Sequence, residues 1–433
     1  MSFNTFCGQD PTNAATYNKV LQAFLPAAPA GNPSVNTTNA NAVVFPVLVA
    51  ATGAAQQLLA DDGATPISVN AATGDFIVVD TLKINQAEVA IGKVAGAINQ
   101  GGVAVAVGAN AGQTNQGANA VAIGAAAGNN GQGAEAIAIG DLAGQTTQGI
   151  DSIAIGDAAG QTAQGNGAVA MGSGAGNTNQ RANAVAIGAA AGTNTQSASS
   201  VAVGANAGQT TQGGNSVAVG VNAGNNNQGA SSVAVGENAG QTTQGASSIA
   251  IGANAGQTNQ AVDSIAIGDR AGQVNQKDES VAIGDKAGQT TQGRECVAVG
   301  FEAGFLNQGI NGFTTAQDGR SIAIGDEAGR SEQNHRSVAI GSQAGRDTQG
   351  YGSVAIGNQA ARNNQGNDCI AIGRFAAETN QPANSICFNA TGGALNPTTT
   401  GLWISPIKGV ANGALPPNTL FYNPATGEVN YAT

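Results

Sequence analysis

Hydrophobic and polar positions repeat every sixteen residues along most of the chain. Each copy follows the pattern S-V-A-I-G-x-x-A-G-x-x-x-Q-G-x-x, whose first glycine recurs from Gly92 to Gly300 and from Gly325 to Gly373. These are eighteen full copies, and in a degenerate nineteenth Asn389 stands at the glycine position. Apart from Gly, Asn best tolerates a left-handed backbone. The column therefore predicts this conformation in every copy, including the one at Asn389.

Two short strands are predicted in each copy. Val or Ile stands three residues and one residue before the glycine, as at Val201 and Val203, and Ala202 lies between them. Residues two apart share one face of a strand. With 65 Gly in 433 residues, a helix is disfavoured, because Gly destabilises a helix interior by about 1 kcal/mol. Two strands joined by glycine-rich corners predict one coil of a parallel β-solenoid.

The repeats divide the chain into three predicted parts. Residues 87–389 form an all-β solenoid, or β-roll, of eighteen to nineteen coils, with nine extra residues near 309–317. Residues 1–86 are a small α/β region for capping or attachment, in which "DFIVVDTLKIN" predicts a strand, and residues 390–433 are a β cap or trimerisation segment. One face of a predicted N-terminal helix comprises Tyr17, Val20, Leu21 and Phe24.

Glutamine stands eight residues after the glycine in every full copy. Stacked coils place these amides over one another, which predicts a structural hydrogen-bond ladder at Gln212, Gln228 and Gln244. A coil this thin buries little apolar surface against its ordering entropy, so we expect a homotrimer. Because the constant alanine predicts a close neighbour, the expected trimer interface comprises Ala202, Ala218 and Ala234.

Two parts of the sequence resemble known families. The repeated "SVAIGxxAG" of residues 89–389 resembles the head repeats of trimeric autotransporter adhesins, which implies a left-handed parallel β-roll wound as a trimer; those repeats are usually shorter and lack the Q-G corner. The stretch "GLWISPIKG…LFYNPATGEVNYAT" at 401–433 resembles a segment near the ends of fibre proteins of large DNA viruses and phages, with Ser405 and Lys408 replacing the usual Asn and Arg. In those proteins a self-cleaving chaperone domain often follows.

Composition argues against several functions. The net charge of −11 disfavours nucleic acid, since phosphate binding needs a clustered basic surface. The longest apolar run, residues 42–51, is too short to cross a bilayer and contains Pro46, and the first residues lack a signal-peptide pattern. No cofactor, metal or catalytic constellation is predicted, and charged residues make up only 9% of the chain. Four cysteines without metal spacing are predicted to be free thiols.

The insertion carries the first candidate binding site. Phe301, Phe305 and Phe313 cluster around it, and inserted loops on solenoids are common places for binding contacts. The alternative is that the loop folds over its own apolar residues.

Three arginines on consecutive coils are the second candidate. Arg330, Arg346 and Arg362 all stand five residues after their glycine. Such a column suits bidentate contacts to an anionic glycan. The alternative is a solvated face balanced by nearby acids, namely Asp326, Glu327, Glu332 and Asp347.

We therefore expect a non-enzymatic structural fibre or adhesin of a virus particle, a rigid trimeric rod for attachment or spacing. It would be assembled in host cytoplasm and displayed on the virion surface, with host glycan or capsid proteins as partners. The alternatives are an extracellular filament or matrix protein of a cell, a polysaccharide-cleaving β-helix enzyme and an ice-binding solenoid.

Overall fold

The computed structural model describes residues 89–310 and 319–406, together with five short strands elsewhere. The chain divides into two compact units, Met1–Asn85 and Gln86–Thr433. The described residues contain no helix. The predicted helix at 17–24 and Phe313 lie outside the described residues.

The first unit contains a small antiparallel sheet. Its strands are Gln56–Leu58, Ile67–Val69 and Phe76–Val78, paired in that order. The last of these lies within the segment for which the sequence predicted a strand, so that prediction is confirmed at Phe76–Val78.

The second unit contains a parallel β-solenoid of about nineteen turns with about sixteen residues in each turn. Each coil contributes one strand to each of two parallel sheets, so that equivalent residues pair, as Ala202 does with Ala218. The pairing of Val297 with Ile322 keeps this register across the insertion. The predicted fold class is therefore confirmed.

We call the sheet of Val-Ala-Ile strands the aliphatic sheet. The sheet has twenty strands. In the first nineteen, each strand pairs with the strand of the next coil, and Gly401–Ser405 extends the sheet beyond Ser385–Asn389. Its strands are Val89–Ile91, Val105–Val107, Val121–Ile123, Ile137–Ile139, Ile153–Ile155, Val169–Met171, Val185–Ile187, Val201–Val203, Val217–Val219, Val233–Val235, Ile249–Ile251, Ile265–Ile267, Val281–Ile283, Val297–Val299, Ile322–Ile324, Val338–Ile340, Val354–Ile356, Ile370–Ile372, Ser385–Asn389 and Gly401–Ser405.

The other sheet, which we call the glutamine sheet, is built from strands that end at the repeated glutamine. The middle residue of these strands has a positive φ, as at Thr211 (53°), so the residues on either side of it form the pairs. Its strands are Ile98–Gln100, Thr114–Gln116, Asn130–Gln132, Thr146–Gln148, Thr162–Gln164, Thr178–Gln180, Asn194–Gln196, Thr210–Gln212, Asn226–Gln228, Thr242–Gln244, Thr258–Gln260, Val274–Gln276, Thr290–Gln292, Leu306–Gln308, Ser331–Gln333, Asp347–Gln349, Asn363–Gln365 and Thr379–Gln381.

Alanine, serine and glutamine fill the space between the two sheets. Ala202, Ala207 and Gln212 are completely buried within a single chain, whereas Val201 and Val203 point outward and are partly exposed. The coil is so thin that its interior admits methyl groups and one amide, and the branched side chains must face out. The prediction that Ala202, Ala218 and Ala234 form a trimer interface is therefore wrong, because all three are fully covered by their own chain.

The repeated glycine is required by the backbone and by the next coil. Gly204 has φ +129°, and a Cβ built there would lie 2.5 Å from the carbonyl oxygen of Gly220. The prediction for Asn389 is wrong, since Asn389 is not among the residues with positive φ. Here the strand continues to Asn389 and pairs with Ser405 instead of turning.

Trp403 lies at the C-terminal end of the alanine core. It pairs with Cys387, which occupies the alanine column, and it packs on the buried cluster. Its indole N–H donates to the Thr399 carbonyl at 3.2 Å. Beyond it, Leu420–Asn423 and Glu428–Tyr431 form an antiparallel pair. The role of residues 390–433 in trimerisation stays a prediction.

Candidate functional site

The glutamine ladder predicted from the repeat is confirmed inside the solenoid. Gln212 Nε2 donates to Gln228 Oε1 at 3.1 Å and to the Val201 carbonyl across the coil at 2.8 Å. Gln244 donates in the same way to Gln260 at 3.2 Å. Each amide therefore joins the two sheets of its own coil, and many also join adjacent coils.

A second amide ladder follows the outer surface, at the position five residues after the glycine. Gln257 Nε2 donates to Gln241 Oε1 at 3.1 Å, and Gln289 donates to Gln273 at 2.7 Å. These donors point toward the preceding coil, opposite to the inner ladder. The sequence analysis missed this ladder, although the recurrence of Gln and Asn in this column was the signal for it.

Positive charge is concentrated in the C-terminal third of the solenoid. Ten of the fifteen Lys and Arg residues lie between Arg270 and Arg374, whereas Arg181 is the one Lys or Arg between Lys93 and Arg270. Residues 270–374 are therefore the part of the shaft that offers cationic side chains for specific contacts.

A connected network surrounds Glu302 in this region. Glu302 is 8% exposed; its two oxygens accept from Lys286 Nζ at 3.1 Å and Arg330 Nε at 2.7 Å. The Lys286 amine lies 5.2 Å from the Phe301 ring centre, and the Arg330 guanidinium lies 5.2 Å from that of Phe305. Two of the three predicted aromatics, Phe301 and Phe305, thus lie against cations of the shaft, and Phe301 keeps 44% of its surface exposed.

The first two arginines of the predicted column are neutralised by carboxylates. Arg330 pairs with Glu302, and Arg346 pairs with Glu327 Oε2 at 2.8 Å and with Asp347 Oδ2 at 3.0 Å. Each of these arginines reaches back to the residue two after the glycine in the preceding coil. For Arg330 and Arg346 the structure therefore favours the balanced, solvated face over a free anion-binding column.

Arg362 differs from the other two. Its Nε is buried and has no hydrogen-bond partner among the described residues, and its side chain is partly exposed. The structure therefore stacks the three predicted arginines on consecutive coils, as the backbone bonds from Ser331 to Arg346 and from Asp347 to Arg362 show, but leaves one without an acidic partner.

A further cluster lies at the opposite corner of the coils. The rings of His335 and Tyr351, on consecutive coils, are 4.6 Å apart between centroids, and Arg336 Nη1 donates to the Tyr351 hydroxyl at 2.8 Å. Arg320 bonds Glu295 at 2.9 Å. His335 is thus packed against an aromatic ring of the next coil.

Three cysteines are buried free thiols, as predicted: Cys296, Cys369 and Cys387. Burial raises the pKa of the Cys296 thiol to about 11, so it stays protonated near neutral pH. Cys7 lies outside the described residues.

The charge state of Glu302 provides a test of the network. Burial opposes its ionisation, but hydrogen bonds from Arg330 and Lys286 and their charges outweigh this effect and lower its pKa. A lowered pKa stabilises the fold above the unfolded value of 4.5, and this contribution is lost as pH falls through the folded value. Glu302→Gln should therefore reduce the free energy of unfolding more at about pH 7 than at about pH 3.

Urea unfolding of parent and variant at both pH values measures this difference. Glu237→Gln, at an exposed carboxylate, is the matched control and should change little at either pH. If Glu302→Gln lowers the free energy of unfolding by the same amount at both pH values, the ionised Glu302 does not stabilise the fold through this network.

The described residues contain neither a metal site nor a membrane-spanning helix. No group of three or more His, Cys, Asp or Glu side chains there is placed to hold a metal ion, and no helix there is long and apolar enough to cross a membrane. One open groove of about 580 Å³ lies along the glutamine sheet and is lined by Thr147, Asn179, Arg181 and Thr195 among others.

The comparisons with known proteins add no assignment. The chain matches no protein-family model, no curated protein and no solved structure. The function proposed below therefore rests on the chain's own residues and on the resemblances described above.

Proposed function

We propose that the protein is a non-enzymatic structural fibre or adhesin of a virus particle, a stiff trimeric rod that spaces or attaches the particle. The observation that carries this proposal is the uninterrupted solenoid. Eighteen coils spaced by about 4.8 Å span on the order of 85 Å; backbone pairing joins them in register, and amide ladders add bonds between many of them. Such a shaft supplies reach without a flexible linker.

The outer side of the aliphatic sheet supports lateral association. Val and Ile, with Met171 as the exception, stand three residues and one residue before each glycine and form two uncharged columns that we call the aliphatic face. Ile251, Ile283 and Ile324 are 39%, 37% and 39% exposed. Two columns about 7 Å apart and on the order of 85 Å long cover roughly 600 Å² in projection, the upper end for the largest apolar patch of a monomer.

A second and third copy of this chain are the partners that fit this face. Each copy offers the same flat surface with the same coil spacing, so side chains of one copy meet equivalent gaps of another along the full length. A closed ring of three copies leaves no aliphatic face exposed. In this proposal the aliphatic face replaces the alanine column as the trimer interface.

Specific recognition is assigned to the non-repetitive parts. The shaft presents the same small groups on coil after coil, whereas the insertion at 309–317, the charged residues 270–374 and the two end regions break the repetition. Host surface glycans and capsid proteins are the partners proposed for them. The viral setting, with assembly in host cytoplasm and display on the virion surface, rests on the resemblance of residues 401–433.

The test has two parts. Immunogold labelling of purified particles with antibody against the shaft should decorate projections on their surface. Deleting residues 309–317 should weaken binding to the infected cell type while the circular dichroism and melting of the rod stay unchanged, because the register continues across the insertion. Absence of label from particles, or normal infection by particles lacking the protein, contradicts the proposal, and hydrolysis of a polysaccharide by the purified protein would make it an enzyme.

A further inference from the structure

In the arginine column, Arg330 and Arg346 pair with carboxylates in the same way, but Arg362 does not. Arg330 and Arg346 each bond a glutamate that lies two residues after the glycine of the preceding coil, at 2.7 Å and 2.8 Å. Arg346 also bonds the aspartate that follows it, Asp347, at 3.0 Å. Arg330 has Glu327 as a second carboxylate, at 4.0 Å from its Nε, so each of these two guanidiniums lies beside two carboxylates.

At Arg362 amides occupy the positions of both acids. Gln343 stands where Glu327 stands for Arg346, and Asn363 pairs in register with Asp347. Gln343 is itself bonded, since its amide donates to Glu327 at 2.8 Å and its oxygen accepts from Gln359 at 3.0 Å. Arg362 therefore has polar, hydrogen-bonded surroundings, but it lacks the two carboxylates that lie beside Arg346 one coil earlier.

The Arg362 Nε is the donor left over by this arrangement. It is buried and has no hydrogen-bond partner in the part of the chain that the structure describes, and Glu378, one coil further along the column, forms no ion pair with Arg362. A buried donor without an acceptor is unfavourable, because it has lost its hydrogen bonds to water and gained none in the protein. The Arg362 side chain as a whole is partly exposed, so an oxyanion can approach its guanidinium, a planar group whose geometry suits carboxylate and sulfate groups.

We propose that Arg362, together with the side-chain amide of the next residue, Asn363, is a binding site for an oxyanion of an acidic glycan, either a carboxylate or a sulfate ester. This inference rests on the proposed attachment role and narrows it to one arginine of the three. Arg330 and Arg346 are excluded because their own carboxylates already occupy them.

Binding of the full-length chain to immobilised polygalacturonate, dextran sulfate and neutral dextran tests this site. The parent should bind at least one of the two acidic polymers and not dextran, and the polymer that binds distinguishes carboxylate from sulfate. Arg362→Gln should weaken that binding about tenfold or more, the effect of losing a hydrogen bond to a charged group. Glu378→Gln should strengthen it, because a nearby negative charge is removed.

Arg181→Gln is the matched control. Arg181 is exposed, lies on a distant coil and has no ion pair among the described residues, so its replacement removes the same charge without touching the site. The site is overturned if the parent binds neither acidic polymer, if Arg362→Gln binds as the parent does, or if Arg181→Gln loses as much. Binding of the parent to the cells that the particles infect, measured alongside, separates the outcomes: cell binding that survives Arg362→Gln unchanged rejects this site and leaves the attachment role standing.

Discussion

Gly204→Ala is expected to lower the free energy of unfolding by roughly 3 kcal/mol or more, through backbone strain and overpacking together. The φ of +129° at this position is one that side-chain-bearing residues rarely adopt, and the added Cβ would lie 2.5 Å from the carbonyl oxygen of Gly220. That oxygen belongs to the backbone of the next coil and cannot move without shifting the pairing of the aliphatic sheet. Urea unfolding followed by circular dichroism measures the loss.

Gly214→Ala is the control for this substitution. Its φ is not in the left-handed region, the nearest atom to an added Cβ is the Ala198 carbonyl oxygen at 3.5 Å, and Ala already stands at the equivalent positions 198 and 230. We expect a change within about 0.5 kcal/mol. Equal losses at the two glycines would show that the repeated glycine is not a steric requirement of coil stacking.

Replacing two residues of the aliphatic face with lysine, Ile251→Lys together with Ile283→Lys, is expected to convert the assembled protein to monomers. In each proposed interface the charges would be buried without partners, and an unpaired buried charge costs several kcal/mol. Both side chains are exposed in the single chain, so the fold of each coil should survive. Light scattering gives the mass, and circular dichroism checks the fold.

The matched control puts the same charges on the other sheet. Thr211→Lys together with Thr243→Lys places two lysines at exposed positions of the glutamine sheet. Lys286, in a turn of another coil, shows that lysine adopts a similar positive φ of 58°. This variant should keep the mass of the parent. Loss of assembly in both variants would mean that added charge, and not its place on the aliphatic face, disrupts the assembly.

The repeat made the fold predictable because identical residues meet themselves in a parallel, in-register stack. The glutamine ladder at Gln212 and Gln228 follows directly from that rule. Which face of each strand points into the solenoid did not follow from the repeat. Alternation puts Val201 and Ala202 on opposite faces, but it does not say which of the two faces is inside. The thickness of the coil decides it: a Cβ at Gly208 would lie 2.7 Å from Gln212 Oε1, so the interior has no room for branched side chains.

The candidate site was predictable only in part. The column of Arg330, Arg346 and Arg362 was visible in the sequence. Whether a carboxylate neutralises each of these arginines depends on a second column, in the preceding coil. Comparing those two columns would have shown that Gln343 replaces the glutamate at the third position. The contacts of Phe301 and Phe305 with Lys286 and Arg330 depend on side-chain directions that no repeat pattern specifies.

The proposed fibre depends above all on how copies of the solenoid meet. A cryo-electron microscopy reconstruction of the assembled full-length protein measures this directly, since strands spaced by about 4.8 Å can be resolved along each shaft. Three solenoids with their aliphatic sheets turned toward a common axis, and Ile251 and Ile283 covered there, is the predicted result. Separate single solenoids, or an assembly in which the aliphatic sheets face solvent, would contradict it.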